Sequence, residues 1–569
     1  MKNKFVILSG LLALSLFTGC GKEFLDRPPQ DTLVDAIFFS TDDQLLAASA
    51  PLYSVVWKDY ADKASWALGD LRGGTTFRAW GYRDDVLFNT TAVSSSNNEA
   101  YRAFYIVIGQ ANTLIQNINT YAGAGVSEAV KNHALAEARF MRATAYYYLV
   151  SNYGPVPIIE NNIALLNDKD LTRNTVESVW EFITRDYLFA AANLPSKPVQ
   201  PGRISKWSAE GMLARTYLTR AGVGSSGKTR NQEYLDKAKE YAQRVIESNV
   251  YALLPNYENL FRYPYDNNSE SLFELQWVFT TDYGYANTMV SQLTFSNDIA
   301  NGDGWGGDLG ASWWMLSLYD GLIDKGNLST EDDDGVRPGF TVDQRLKATY
   351  MLPGFQYPEI SQTVRNDAGV ESEQRLVFPA PGNDADQSFA SIKKYVVGKA
   401  KDVGGQAIAQ RYPNNTYMLR LSEMYLTYAE AALGNNASTN DAKALEYFNV
   451  VHMRAGLPEY EDALTWDVIF HERIKEFAME GLAWYDLVRL HYYDPDKAYK
   501  IINEQDRGLF VIKPDRMPNP TGWTFTKTSW FEGRKANANS GNFLLPIPAA
   551  EASQAPNLRK EPVPYDFGG

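Results

Sequence analysis

Cysteine is almost absent: Cys20 stands alone in 569 residues. No intramolecular disulfide can form, so stability must come from packing. Histidine is nearly as scarce, with four residues, at 133, 452, 471 and 491. The string His471-Glu472-Arg473-Ile474-Lys475 puts Lys475 where a zinc-protease helix needs its second imidazole on the same face, which excludes that chemistry. Beyond the N-terminal run Phe5–Phe17 no apolar stretch approaches the ~18 residues of a membrane span. Positive charge is outnumbered, 54 Lys and Arg against 68 Asp and Glu, for a formal net charge of −14. A nucleic acid or a strongly anionic ligand needs a basic field, so neither is the expected partner. No cofactor motif is present. Glu331-Asp332-Asp333-Asp334-Gly335 is oxygen-rich but lacks the spacing of an EF-hand loop, and it reads as a solvated acidic turn rather than a metal site.

What is present begins with the leader. Lys2 and Lys4 precede Phe5–Phe17, and Thr18-Gly19 precede Cys20. A basic start, a short apolar middle and a small residue before the cut describe a secretory signal. In a helix the run reaches about 20 Å, short of the roughly 30 Å hydrocarbon core. The string resembles a bacterial lipobox, with Phe17 where that motif usually carries Leu. The resemblance implies loss of residues 1–19 and a diacylglycerol thioether on Cys20. Residues 20–36, with Pro28 and Pro29, read as a tether.

The body is expected to be mainly α. Apolar periodicity and caps predict helices over Asp42–Tyr60, Asn98–Tyr121, Ser127–Tyr153, Glu177–Asn193, Lys206–Ala221 and Glu233–Ser248. Ala134, Ala138, Met141, Ala145 and Tyr148 fall on one face whose small residues allow close approach of a neighbour. Successive amphipathic helices with short turns suggest hairpins of tetratricopeptide type, although a strict repeat consensus is missing. Residues from 249 to about 413 are rich in Gly, Asn, Asp, Pro and aromatics, with short β-like runs such as Leu272–Val278; long irregular segments usually carry function. Helices return at Tyr417–Leu433, Thr439–Ala455 and Thr465–Leu490. The expected organisation is a helical part over 37–250, then a loop-rich region and a second helical part over 251–569, packed as one body.

Several strings resemble the SusD-like (RagB/SusD) family of outer-membrane nutrient-binding lipoproteins. They are the mature start from Cys20 to Pro29, Tyr101–Tyr105 with Gln110-Ala111-Asn112, and Glu137–Ala143 running to Tyr153-Gly154-Pro155-Val156-Pro157. Further along come Gly202–Ser205 with Ala214–Leu218, Leu419–Glu423 with Tyr428–Ala431, Asn449 with Arg454–Leu457, and Glu472 to Arg489. Leu544–Pro548 closes the set, in order along the chain. The resemblance implies tetratricopeptide-like pairs, an irregular ligand-bearing region and non-covalent capture of oligosaccharides, or of peptides in some members. It also implies a SusC-like TonB-dependent barrel as partner, and a lipid-anchored, surface-exposed place at the outer membrane.

Candidate ligand residues are aromatic. A sugar needs an apolar platform for its C–H face and polar groups for its hydroxyls. The 35 Tyr, 27 Phe and 13 Trp supply rings in excess, many of them for helix packing. Trp305 lies in the Gly-rich loop Asn301–Gly310; Trp313 and Trp314 follow Ser312, read as a helix cap. Upstream, Asp70, Arg72, Trp80 and Tyr82 combine charge with ring faces, and Tyr283 and Tyr285 share an aromatic loop. No catalytic residues are assigned. Glu472, Glu476 and Glu480 could be catalytic carboxylates of a lipid-anchored glycoside hydrolase. The plainer reading is an ion-pair lattice that pins the last helices to their neighbours.

Overall fold

The computed structural model describes residues 39–78, 81–165, 170–225, 227–323, 338–379, 390–508, 510–527 and 534–568. Cys20, the tether, Trp80 and the acidic turn at 331–335 lie outside them. The longer helices are α1 (Asp42–Ser49), α2 (Ser95–Tyr121), α3 (Glu128–Tyr153), α4 (Val176–Asn193), α5 (Lys206–Arg220) and α6 (Gln232–Glu247). After a long irregular stretch come α7 (Leu421–Leu433), α8 (Ala442–Arg454), α9 (Trp466–Phe477), α10 (Ala483–His491) and α11 (Pro495–Glu504). Each of α2 to α7 packs against the next in the chain, which is the arrangement of stacked helical hairpins. Among the described residues no helix is long and apolar enough to cross a membrane.

Helix ends follow local chemistry. Ser127 accepts from the Val130 amide and caps α3, and Gly154 at φ 69° ends it. The helix expected over Asp42–Tyr60 is broken, because Pro51 opens a 3-10 turn and Ser54 leaves helical dihedrals; π turns follow at Tyr60–Ala64 and Ala67–Leu71. The helix expected over Tyr417–Leu433 starts at Leu421. Thr416–Arg420 is instead a strand, paired antiparallel with Ser271–Leu275. The long helix expected over Thr465–Leu490 is split into α9 and α10, with Met479 and Gly481 at positive φ between them.

Among the described residues the strands are short. Those that position the site are β1 (Thr76–Arg78), β2 (Ser271–Leu275), β3 (Leu309–Ala311), β4 (Tyr350–Met351), β5 (Gln356–Arg365), β6 (Glu371–Val377), β7 (Ser391–Ile392) and β8 (Thr416–Arg420). A four-stranded sheet runs β1-β3-β7-β4, with Arg78 opposite Leu309.

The acidic face of α9, with Glu480 just past its end, is buried in the ion-pair lattice expected for it. Arg420 donates to Glu270 at 2.5 Å, Glu476 at 2.9 Å and Glu480 at 2.7 Å. Arg345 reaches Glu472 at 2.7 Å, Arg454 reaches Glu476 at 2.5 Å, and Lys394 reaches Glu480 at 2.9 Å. The adjacent cations hold Glu472 well below the usual carboxylate range and bring Glu476 to about 2, despite full burial. Each carboxylate is committed to partners inside the fold.

Candidate functional site

Two expected ligand groups are structural instead. Asp70 is fully buried and accepts from Thr75 Oγ1 at 2.8 Å, the Met479 amide at 2.8 Å and the Gly481 amide at 2.9 Å. It caps the break between α9 and α10. The chains touch there: a Cβ on Gly69 would lie 2.3 Å from Gly481 Cα. Arg72 is also fully buried. Its guanidinium sits 4.3 Å from the Phe88 ring centroid and 4.4 Å from that of Trp484, and it donates to the Phe543 carbonyl at 2.7 Å. Neither offers a group to a ligand.

The two adjacent indoles face different ways, as expected for neighbours on one helix. Ser312 caps their turn, accepting from the Met315 amide at 3.0 Å. Trp313 is 5% exposed and packs edge-on against Phe510 and Phe525. Trp314 is half-buried over Phe470. Trp313 therefore belongs to the core, and Trp314 is largely spent on packing.

Three candidate rings are open. Trp305 is 54% exposed, Tyr283 46% and Tyr285 40%. Both of their loops are fixed on the short helix Met289–Leu293. The Trp305 amide donates to the Ser291 carbonyl at 2.9 Å and the Gly306 amide to the Thr294 carbonyl at 2.8 Å. Glycine at 306 is required, since a Cβ would lie 2.4 Å from the Leu293 carbonyl oxygen. The tyrosine loop leads directly into Thr288, the residue before that helix. It is closed by the Val278 amide on the Tyr285 carbonyl at 2.9 Å. Arg411 donates to the Thr281 carbonyl at 2.5 Å and lies 4.9 Å from the Tyr283 ring centroid.

Tyr82 is half-buried, edge-on to Trp66, and its hydroxyl donates to Glu99 at 3.0 Å. Arg78, at the end of β1, ties this corner to the Trp305 loop. Its Nε donates to both Asp308 carboxylate oxygens at 3.1 Å, while the guanidinium covers the Trp66 and Tyr82 rings.

Beside Tyr283 lies a hollow of about 290 Å³. Its lining includes Lys58, Asp62, Glu99, Arg102 and Gln410. Lys58 donates to the Ala286 carbonyl at 2.9 Å and to Thr288 Oγ1 at 2.5 Å, and Thr288 in turn donates to Asp62. Burial pulls the Lys58 ammonium down to about 8 against the opposing pull of Asp62 and Asp59. Sequence reasoning missed Lys58, Asp62, Glu99 and Asp308. They are ordinary charged residues whose common location appears only once β1 and β3 are paired. Among the described residues no group of His, Cys, Asp and Glu is placed to hold a metal.

A family model described as "SusD family" matches residues 269–563, more than half of the chain. The chain belongs to the SusD family. A second model, "Starch-binding associating with outer membrane", matches residues 73–218. A "SusD-like protein" of Bacteroides ovatus is 35% identical across 100% of this chain and 99% of its own. The "Starch-binding protein SusD" of Bacteroides thetaiotaomicron is 25% identical over 74% of this chain and 75% of its own. A solved structure with xylogluco-oligosaccharide superposes with a TM-score of 0.78 at 33% identity, covering 92% of this chain and 100% of that one. This SusD-like chain thus has the mainly α, tetratricopeptide-like fold of a glycan-binding, outer-membrane-associated family.

Proposed function

We propose that this SusD-like chain captures a neutral oligosaccharide at the outer membrane surface and hands it, intact, to a SusC-like TonB-dependent barrel. Acyl chains on Cys20 hold it there. The observation that carries the reading is the set of open rings, Trp305, Tyr283 and Tyr285, on loops pinned to one short helix. Tyr82 sits at the adjoining corner, held by Glu99 and the Trp66 ring. Flat rings on fixed loops suit sugar C–H faces, and the surrounding Arg, Asp and Glu groups suit hydroxyls. Pinned loops lose little freedom on binding, which favours affinity. The acidic carboxylates of α9 are locked in ion pairs, so binding, not bond cleavage, is the activity. The xylogluco-oligosaccharide held by a relative at 33% identity makes β-glucan oligosaccharides the first ligands to try.

Calorimetric titration with such oligosaccharides tests the reading. Each stacked ring contributes about 1 kcal/mol, so Trp305→Ala should weaken binding roughly five- to tenfold with an unchanged melting temperature. Unaltered affinity in Trp305→Ala, competition by mixed peptides rather than glycans, or new reducing ends on incubation would each overturn it.

A further inference from the structure

The hollow beside the rings differs in chemistry from the rings themselves. Trp305, Tyr283 and Tyr285 offer open ring surfaces. The hollow is recessed and lined by three cations, Lys58, Lys63 and Arg102, and three anions, Asp59, Asp62 and Glu99. Tyr283 lines it and is itself one of the open rings. Tyr82 borders it through the hydroxyl bonded to Glu99. We propose that the hollow is a second subsite that takes a single neutral sugar branching from the oligosaccharide backbone stacked on Trp305 and Tyr285. The inference rests on the oligosaccharide reading above and names the ligand more finely.

Three features point to that ligand. At about 290 Å³ the hollow sits at the floor of the roughly 300–1,000 Å³ range of small-molecule sites, room for one sugar unit and not for a chain. Its charges balance, so a carboxylate or ammonium gains nothing net from them, whereas hydroxyls find donors and acceptors on opposite walls. Those walls are also pre-set. Lys58 is tied to the Ala286 carbonyl and Thr288, Thr288 to Asp62, and Tyr82 to Glu99, so most of the polar groups do not have to be ordered on binding. Arg102 is three-quarters exposed and only loosely paired with Asp59 at 3.7 Å, which leaves it room to turn toward a ligand, and the Gln410 amide also lines the hollow.

The test uses three probes with the full soluble chain: a linear cello-oligosaccharide, the same backbone with single neutral sugar branches, and the same backbone with uronic acid branches. The neutral branched probe should bind about fivefold tighter than the linear one, the factor worth one net hydrogen bond. Arg102→Ala and Gln410→Ala should erase that advantage and leave linear binding unchanged, while Trp305→Ala weakens both probes together. The uronic acid probe should bind no tighter than the linear one. Equal affinity for linear and neutral branched probes, with Trp305-dependent binding intact, overturns this inference alone. So does an equal loss for both probes in the Arg102 and Gln410 variants, or a gain specific to the uronic acid. Binding of none of the three overturns the oligosaccharide reading with it.

Discussion

Single residues here are decided by what surrounds them, and buried carboxylates make the point. Glu476 and Asp486 face guanidinium groups and sit near 2. Glu274, just as buried, has no cation; burial and the neighbouring Asp266 push it to about 7. It accepts from the Asn267 amide at 3.0 Å and from Asn415 Nδ2 at 2.8 Å, bonds a neutral amide oxygen could also accept. A pKa raised on folding means stability that is present below about 4.5 and lost as pH rises through about 7. Glu274→Gln should therefore match the wild type near pH 5 and become the more stable protein above pH 7, by about 2 kcal/mol at pH 8. Chemical denaturation of the two proteins at both pH values measures this, and a pH-independent difference would refute it. Asp70 shares the logic, raised to about 6 by burial against three donors. Its role was illegible in the sequence because its two amide donors lie some four hundred positions away in the chain. Trp305 was legible because the glycines around it announce a loop that hugs another backbone. Arg72 and Trp313 were not, because nothing local distinguishes a ring or guanidinium sealed in a core from one left open.

At the level of elements, helices of regular period were readable and interruptions were not. Stretches such as Ser127–Tyr153 carry their cap, their stripe and their glycine stop in plain view. Tyr417–Arg420 carry a helix-compatible pattern too, but β2 claims them by pairing, an outcome that depends on Ser271–Leu275 far upstream. That strand delivers Arg420 into the carboxylates of α9. Removing the cation should do more damage than weakening one anion. Arg420→Ala takes one cation from three buried carboxylates at once, leaving Glu270 and Glu476 to share Arg454 and Glu480 to Lys394, and should cost about 3–5 kcal/mol. Glu480→Gln keeps an acceptor for Lys394 and Arg420 and should cost about 1–2 kcal/mol. Urea melts rank the two; the reverse order would deny that the lattice is built around Arg420. The Arg78–Asp308 clamp acts differently, because it joins two ring-bearing segments and not the core. Asp308→Asn should lower oligosaccharide affinity about threefold by loosening the Trp305 loop, with little change in melting temperature. A fall in stability without a fall in affinity would make the clamp merely structural.

For the molecule as a whole, rings serve two masters. Most of them, including Trp57, Trp66, Trp180 and Trp484, are sealed in one extended core that holds the helical hairpins together without disulfides. A few are left open on loops that this core makes rigid. The described body needs nothing from the leader to form its ring face, so anchoring and binding should separate cleanly. Cys20→Ser removes the only thiol that could carry acyl chains. The purified variant should bind oligosaccharide as tightly as the wild type, since every ring in the proposed site lies well beyond the tether. In cells the variant should leave the outer membrane fraction, and growth on the cognate glycan should fall although the protein is still made. A single acyl chain gives only marginal membrane affinity, so under the proposed anchoring, loss of the whole lipid group leaves nothing to hold the chain beside the proposed barrel. Membrane fractionation and growth curves on the same strains decide it: retention at the outer membrane without Cys20 would mean that the barrel, not the lipid, keeps this chain in place.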